Sequence, residues 1–256
     1  MIKAVFFDID GTLVPFKQKI IHPSALEALH ALKERGIKTF LATGRALTTL
    51  GFAYEQFDFD GYLAMNGQYC VYHDEVVRAS VLDVDQIKAI IPYIHENDMS
   101  VAFVEKDYLY INAMSRFYKQ MLKEYPRHQP IEDLDRLDHH KTYQLIMYIT
   151  PAEEERFFKH FPYFKPVRWN PRFSDVIAKD GGKEVGIDAI CQRLGITNDQ
   201  CMAFGDGGND IGMIQHAGIG VAMGNATDDV KEAADYVTSR DIDDGIWNAL
   251  KHFEVI

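Results

Sequence analysis

Residues 1–14 read MIKAVFFDIDGTLV. An apolar, β-prone run from Ile2 to Phe7 stops at Asp8, and Asp10, Gly11 and Thr12 follow closely. The run predicts a buried strand with two aspartates at its carboxyl end. Residues two apart on an extended chain point the same way, so Asp8 and Asp10 can converge on one site. Carboxylates that close repel unless a cation lies between them or one takes a proton. Whatever completes such a site must come from elsewhere in the chain.

The following segments alternate. A helix is expected over 22–35, with Pro23 at its start, Ala25, Leu26, Ala28, Leu29 and Leu32 as its apolar face, and Gly36 as its stop. A strand over 37–42 closes on Thr43, Gly44 and Arg45; a helix over 46–57 and a strand over 61–65 follow. Asn66-Gly67 then signals a hairpin into strands over 69–72 and 75–79. This order predicts a parallel sheet with helices on its faces.

The pattern changes after that. Helices over 84–96, 115–125 and 151–161 mix with strands over 101–104, 108–111, 142–149, 165–169 and 173–178. Strand pairs beside helices predict an α+β unit with an antiparallel sheet. Alternation returns with helices over 184–194, 211–215, 226–234 and 245–252 and strands over 201–204 and 219–222. The expected class is therefore α/β, with a parallel-sheet core formed by 1–82 and 181–256 and an α+β cap inserted at 83–180.

Composition narrows the function. With 27 Lys and Arg against 38 Asp and Glu, the 256-residue chain has a formal charge of −11. That field suits neither nucleic acid nor an anionic membrane surface. A small anionic substrate would need a metal or a few positioned cations. Cys70, Cys191 and Cys201 form no CxxC pair and read as buried, reduced thiols. No signal peptide is read ahead of Ile2, and no run approaches the ~20 apolar residues of a membrane span. Cytoplasm is the expected location, and no residue pattern specifies an oligomeric state.

Three strand ends carry polar clusters: Asp8/Asp10, Thr43-Gly44-Arg45, and Gly205-Asp206-Gly207-Gly208-Asn209-Asp210. In an open parallel sheet these ends share one edge, where ligands bind. Asp8, Asp10 and Asp206 supply hard oxygen ligands suited to Mg²⁺. A carboxylate can also act as a nucleophile toward phosphorus, and its neighbour can move the proton. Thr43, the backbone amide of Gly44, and Lys183 at a helix start could hold the phosphate. Asp138, His139 and His140 read as an exposed loop, and Glu153 to Glu155 as favourable charge at a helix start. Tyr143, Tyr148, Phe157, Phe158 and Phe161 read as cap core.

DIDGTL, LATGR and GDGGNDIGMI, in that order, resemble motifs of the haloacid dehalogenase superfamily of phosphohydrolases. VAMGNATDDVKEAADYVT, with DDGI after it, resembles the Cof-type branch, whose cap lies between motifs two and three. The resemblance implies a Rossmann-like core and Mg²⁺-dependent phosphatase activity on a small phosphorylated metabolite through an aspartyl-phosphate. It implies Asp8 as nucleophile and Asp10 as general acid/base. Thr43, Gly44, Lys183 and Asn209 are implied as phosphate contacts. The metal would be held by Asp8, Asp206 and the backbone carbonyl of Asp10, with Asp210 supporting the metal shell. Two positions depart from the branch. Gly208 stands where it often has glutamate, and Lys183-Glu184 where it often has Lys-Gly, which leaves Lys179 as a competitor for the lysine role.

Arg45, and in the cap Arg172 and Asp175, are expected to read the substrate, because a cap that closes over a site meets the leaving group. Two other functions fit the same core: a phosphomutase, and a phospho-dependent binding module without turnover. Asp10 and the cap argue against the second, which needs neither a leaving-group acid nor a lid.

Overall fold

The computed structural model describes every residue except Tyr125 and Arg127. The chain packs as two compact units, Met1–Arg45 with Thr49–Ala79 and Gly182–Ile256, and Ala46–Thr48 with Ser80–Gly181.

The first unit opens with β1 (Ala4–Phe7), α1 (Pro23–Glu34), β2 (Lys38–Ala42), α2 (Gly51–Tyr54), β3 (Gly61–Ala64), β4 (Tyr69–Tyr72) and β5 (Glu75–Ala79). Where a helix was expected over 46–57 there is only a 3₁₀ turn, Leu47–Thr49, and the single turn α2. Thr48, Thr49 and Gly51 are weak helix formers, and three within four residues interrupt propagation. The second unit comprises α3 (Val84–Glu96), β6 (Ser100–Val104), β7 (Leu109–Ile111), α4 (Arg116–Glu124), β8 (Gln144–Tyr148), α5 (Pro151–His160), β9 (Phe164–Asn170) and β10 (Phe173–Ala178). The expected end of α4 at Tyr125 lies outside the described residues. The first unit resumes with α6 (Lys183–Leu194), β11 (Cys201–Gly205), α7 (Ile211–His216), β12 (Ile219–Ala222), α8 (Asp228–Glu232), β13 (Tyr236–Val237) and α9 (Gly245–His252). Strand β13 has two residues, too few to show any periodicity.

The first unit is built on an eight-stranded sheet in the order β13-β12-β11-β1-β2-β3-β4-β5. Pairing is parallel from β13 to β3 and antiparallel through β4 and β5. Strand β1 sits centrally, and all four of its residues are buried. A parallel strand covered on both faces must be apolar throughout, which is why AVFF shows no alternation. Phe6 stacks on Phe40 at 5.0 Å and joins a core formed with Ile187 and Ile190 of α6 and Met213 and Ile214 of α7. Phe7 points the other way and stacks on Phe204 at 5.2 Å. Helix α1 packs against α9 and β2.

The second unit has a five-stranded sheet, β7-β6-β8-β10-β9, antiparallel throughout. Ile87, Ile90 and Ile94 of α3 and Phe157 of α5 pack with Val101 and Phe103 on one face. Tyr118 of α4 packs with Ala102 and Tyr148 on the other. Thr150 and Glu153 form a capping box at the start of α5. His139 and His140 are exposed, after a short 3₁₀ turn. Arg168 is spent on this unit's own fold: it donates to Glu154 at 2.9 Å and to the carbonyls of Asn170, Phe173 and Ile149 at 2.8, 3.1 and 3.1 Å. Asp175 is buried and accepts from the indole of Trp169 at 3.2 Å; Arg172 is half-buried. Among the described residues no helix is long and apolar enough to cross a membrane.

Candidate active site

In the first unit the carboxyl ends of β1, β2 and β11 bring Asp8, Thr43 and Asp206 to one edge of the sheet. Strand order reverses at β1, which has β11 on one side and β2 on the other, and an α/β sheet opens a crevice at such a point. The fourth participant comes from α6. Lys183, its first residue, is only 1% exposed, and its ammonium donates to Asp8 Oδ1 at 2.7 Å, Asp210 Oδ1 at 2.5 Å and the carbonyl of Ala42 at 2.7 Å. Each of its three donors has a partner. Lys179 is exposed and belongs to the second unit.

Asp210 fixes this lysine to the loop after β11. Its second oxygen accepts the backbone N–H groups of Asp206 and Gly207, both at 2.9 Å. Asp206 in turn accepts from Thr12 at 3.1 Å and from the amide of Asn225 at 3.4 Å. Asn225 also donates to the carbonyl of Gly11 at 2.8 Å, and its oxygen accepts from the backbone of Asp241. Thr12 and Asn225 therefore belong to this centre, although neither is a sequence-predicted site residue. Asn225 stands just past the end of β12, where the strand-end rule could have found it.

Asp8, Asp206 and Asp210 are buried, and each offers an oxygen within 4.8 Å of the others. Burial, followed by the charges of Asp210 and Asp10, raises Asp8 to about 7 against the pull of Lys183. Burial and the charges of Asp8 and Asp210 raise Asp206 to about 9. Burial alone would favour neutral Lys183, but Asp210 and Asp8 outweigh it and hold the ammonium protonated. Three buried carboxylates thus face one buried ammonium. A divalent cation with a preference for oxygen would offset the excess, and the donor set fits Mg²⁺.

Asp10 is not part of that group. Both of its carboxylate oxygens accept from the Arg45 guanidinium. Thr43 is buried, and its hydroxyl accepts the backbone N–H of Arg45 at 3.2 Å. Asn209 lies in the 3₁₀ turn Gly208–Asp210, and its amide donates to Asn66 Oδ1 at 3.2 Å. Asn66, which reads in the sequence only as a turn residue, is fully buried here.

A family model described as haloacid dehalogenase-like hydrolase matches residues 5–250. The chain belongs to that family. It is 31% identical over 259 residues, covering 99% of this chain and 98% of the relative, to YkrA of Bacillus subtilis (strain 168), which carries a provisional phosphatase name. A solved phosphatase of the family, BT1666 from Bacteroides thetaiotaomicron, superposes with a TM-score of 0.95 at 32% identity, over 100% of this chain and 96% of that one. The sugar phosphatase BT4131, of haloacid dehalogenase subclass IIB, superposes with a TM-score of 0.90 at 39% identity, over 99% of this chain and 100% of that one. The chain is thus a phosphoric monoester hydrolase by class, with the α/β core and inserted α+β unit of this family.

Proposed function

We propose that this haloacid dehalogenase-like hydrolase cleaves small phosphomonoesters, sugar phosphates among them, through an aspartyl-phosphate on Asp8, with Mg²⁺ as cofactor. The observation that carries the reading is the buried group of Asp8, Lys183, Asp206 and Asp210 at the carboxyl edge of the sheet. Asp8, Asp206 and the backbone carbonyl of Asp10 would hold the metal, with Asp210 behind them. Bound there, Mg²⁺ supplies positive charge against the phosphate and the carboxylates.

The residues then have separate tasks. The Asp8 oxygen not engaged by Lys183 attacks phosphorus in line. The bond from phosphorus to the leaving oxygen breaks, and Asp10 gives that oxygen a proton. Asp10 next takes a proton from water as the water oxygen attacks phosphorus. The bond from phosphorus to Asp8 breaks, which frees phosphate and restores the carboxylate. Thr43, Gly44, Lys183 and Asn209 orient the phosphoryl group, since such transfer depends mostly on positioning and charge. Arg45, Arg172 and Asp175 are assigned to reading the leaving group. The net charge of −11 supports a small phosphorylated metabolite over nucleic acid as the substrate. The free, buried cysteines support a cytoplasmic place of work.

The test is Asp8→Asn, measured as free phosphate released from a panel of phosphorylated metabolites with Mg²⁺. Loss of turnover with the fold retained is expected. Hydrolysis by the variant at the wild-type rate would overturn the mechanism. Transfer to a second hydroxyl without free phosphate would point to a mutase.

A further inference from the structure

The turn after β3 does more than reverse the chain. Met65, Asn66 and Gly67 hold φ of 51°, 54° and 81°, all left-handed. Such values are costly for residues with a Cβ, and two non-glycine residues bear them in succession. The turn touches the other loops of the site. The backbone N–H of Asn66 donates to the carbonyl of Thr43 at 2.9 Å, and that of Met65 to the carbonyl of Arg45 at 3.1 Å. A Cβ on Gly67 would lie 2.2 Å from the carbonyl oxygen of Gly182, so the turn also lies against the start of the helix that carries Lys183. The Asn66 side chain reaches the remaining loop, where its oxygen accepts from the Asn209 amide at 3.2 Å.

We infer that Asn66 is a positioning residue for phosphate binding: its side-chain oxygen fixes which face of the Asn209 amide meets the phosphate, and its left-handed backbone holds Thr43 in register. An asparagine amide offers an acceptor on one side and donors on the other. With one Asn209 N–H committed to Asn66 Oδ1, the nitrogen side is set, and the second N–H is the group left to face an anion. An unheld amide would present its oxygen part of the time and repel a phosphate. Asparagine suits the position because it tolerates left-handed backbone better than other residues with a Cβ. The inference rests on the proposed role of Asn209 in holding phosphate.

The probe is inorganic phosphate, titrated calorimetrically into the full chain with Mg²⁺ present, which reads positioning without turnover. Asn66→Gly keeps the backbone free to turn and removes the amide. Asn66→Ala removes the amide and retains the left-handed strain. Both should weaken phosphate binding about tenfold, the scale of one hydrogen bond, while Ala, which also bears the left-handed strain, lowers the melting temperature further than Gly. In an Asn209→Ala background, Asn66→Gly should cost nothing further. KM for p-nitrophenyl phosphate should rise with kcat nearly unchanged. The inference is overturned if Asn66→Gly binds phosphate as the wild type does, if its loss is undiminished in the Asn209→Ala background, or if Asn209→Ala itself leaves phosphate binding intact. A wild type that binds phosphate with this coupling yet never releases it from an ester would refute the phosphatase reading and leave this inference standing.

Discussion

The Arg45 guanidinium holds both carboxylate oxygens of Asp10, Nε to Oδ2 and Nη2 to Oδ1, each at 2.7 Å. The carboxylate proposed to move protons is therefore forked to an arginine and must leave it to reach a leaving oxygen. The side chains are 29% and 28% exposed, so solvent screens the pair and opening it costs about 1 kcal/mol, under tenfold in rate. General acid catalysis contributes about 10²–10⁴-fold. Arg45→Ala should thus alter kcat/KM for an alkyl phosphate by less than about tenfold, and Asp10→Ala should lower it by about 10²–10⁴-fold. The Asp10→Ala loss should shrink with p-nitrophenyl phosphate, whose leaving group needs little protonation. Equal losses in the two variants, or an Asp10→Ala loss independent of the leaving group, would count against the role of Asp10.

Lys183 neutralises buried carboxylates from two loops, Asp8 and Asp210, and its own burial is nearly complete. Removing one partner of a buried ion pair strands the others and costs about 3–5 kcal/mol. Lys183→Met should lower unfolding free energy in urea by about that amount. The loss should be partly recovered with Mg²⁺. A variant within about 1 kcal/mol of the wild type would show that the carboxylates find another partner.

Acidity should set metal affinity. In the metal-free protein Asp8 is raised to about 7 and Asp206 to about 9 from the ordinary 3.8 of an aspartate. A carboxyl whose folded pKa is raised binds protons that the unfolded chain has released. Its contribution favours folding at low pH and is lost as pH rises through the folded value. Metal-free stability should therefore fall as pH rises from about 4, the unfolded value, through about 7 for Asp8 and about 9 for Asp206. Mg²⁺ must displace those protons, so its affinity should rise across the same interval. Thermal unfolding with and without Mg²⁺ checks both slopes. A magnesium-induced shift in Tm that is as large at pH 6 as at pH 9 would refute the competition.

Asp8, Asp206 and Lys183 were legible because each stands at the end of a strand or the start of a helix in an alternating pattern. Strand ends of a parallel sheet share an edge, so distant residues could be placed together without knowing any contact. The Arg45–Asp10 fork was not legible, because a side-chain direction after a strand depends on loop geometry. Asn66, Thr12 and Asn225 escaped for a related reason: each acts on a residue of another loop, and nothing within its own neighbours marks that partner. The short α2 shows the low helix propensity of Thr48, Thr49 and Gly51 overriding a pattern that otherwise looked helical.

Arg168 lies in the second unit, in a strand pair expected to hold substrate-reading residues. Its contacts with Glu154 and three backbone carbonyls point instead to stability. Arg168→Ala leaves those acceptors without their donor and should cost about 3 kcal/mol in unfolding free energy. The order of preference among phosphate esters should stay as in the wild type. An unchanged stability with a reordered substrate preference would place Arg168 in recognition.

Gly11 offers the sharpest comparison, because Gly36 supplies its control. Both have left-handed backbone, with φ of 85° and 72°. A Cβ on Gly36 would meet nothing within 4 Å, whereas one on Gly11 would lie 2.3 Å from Asp206 Oδ2. The backbone of Gly11 cannot retreat easily, since its N–H donates to Val14 and its carbonyl accepts from Asn225, both at 2.8 Å. The Asp206 carboxylate must move instead. Each substitution to alanine carries the left-handed strain, about 1–2 kcal/mol. Only Gly11→Ala should also weaken Mg²⁺ binding, by at least about tenfold, if Asp206 is a metal ligand, because a hard cation tolerates little displacement of an oxygen ligand. Calorimetric titration of Mg²⁺ into the two variants reads the difference directly. Equal Mg²⁺ affinity in Gly11→Ala and Gly36→Ala would remove Asp206 from the metal site.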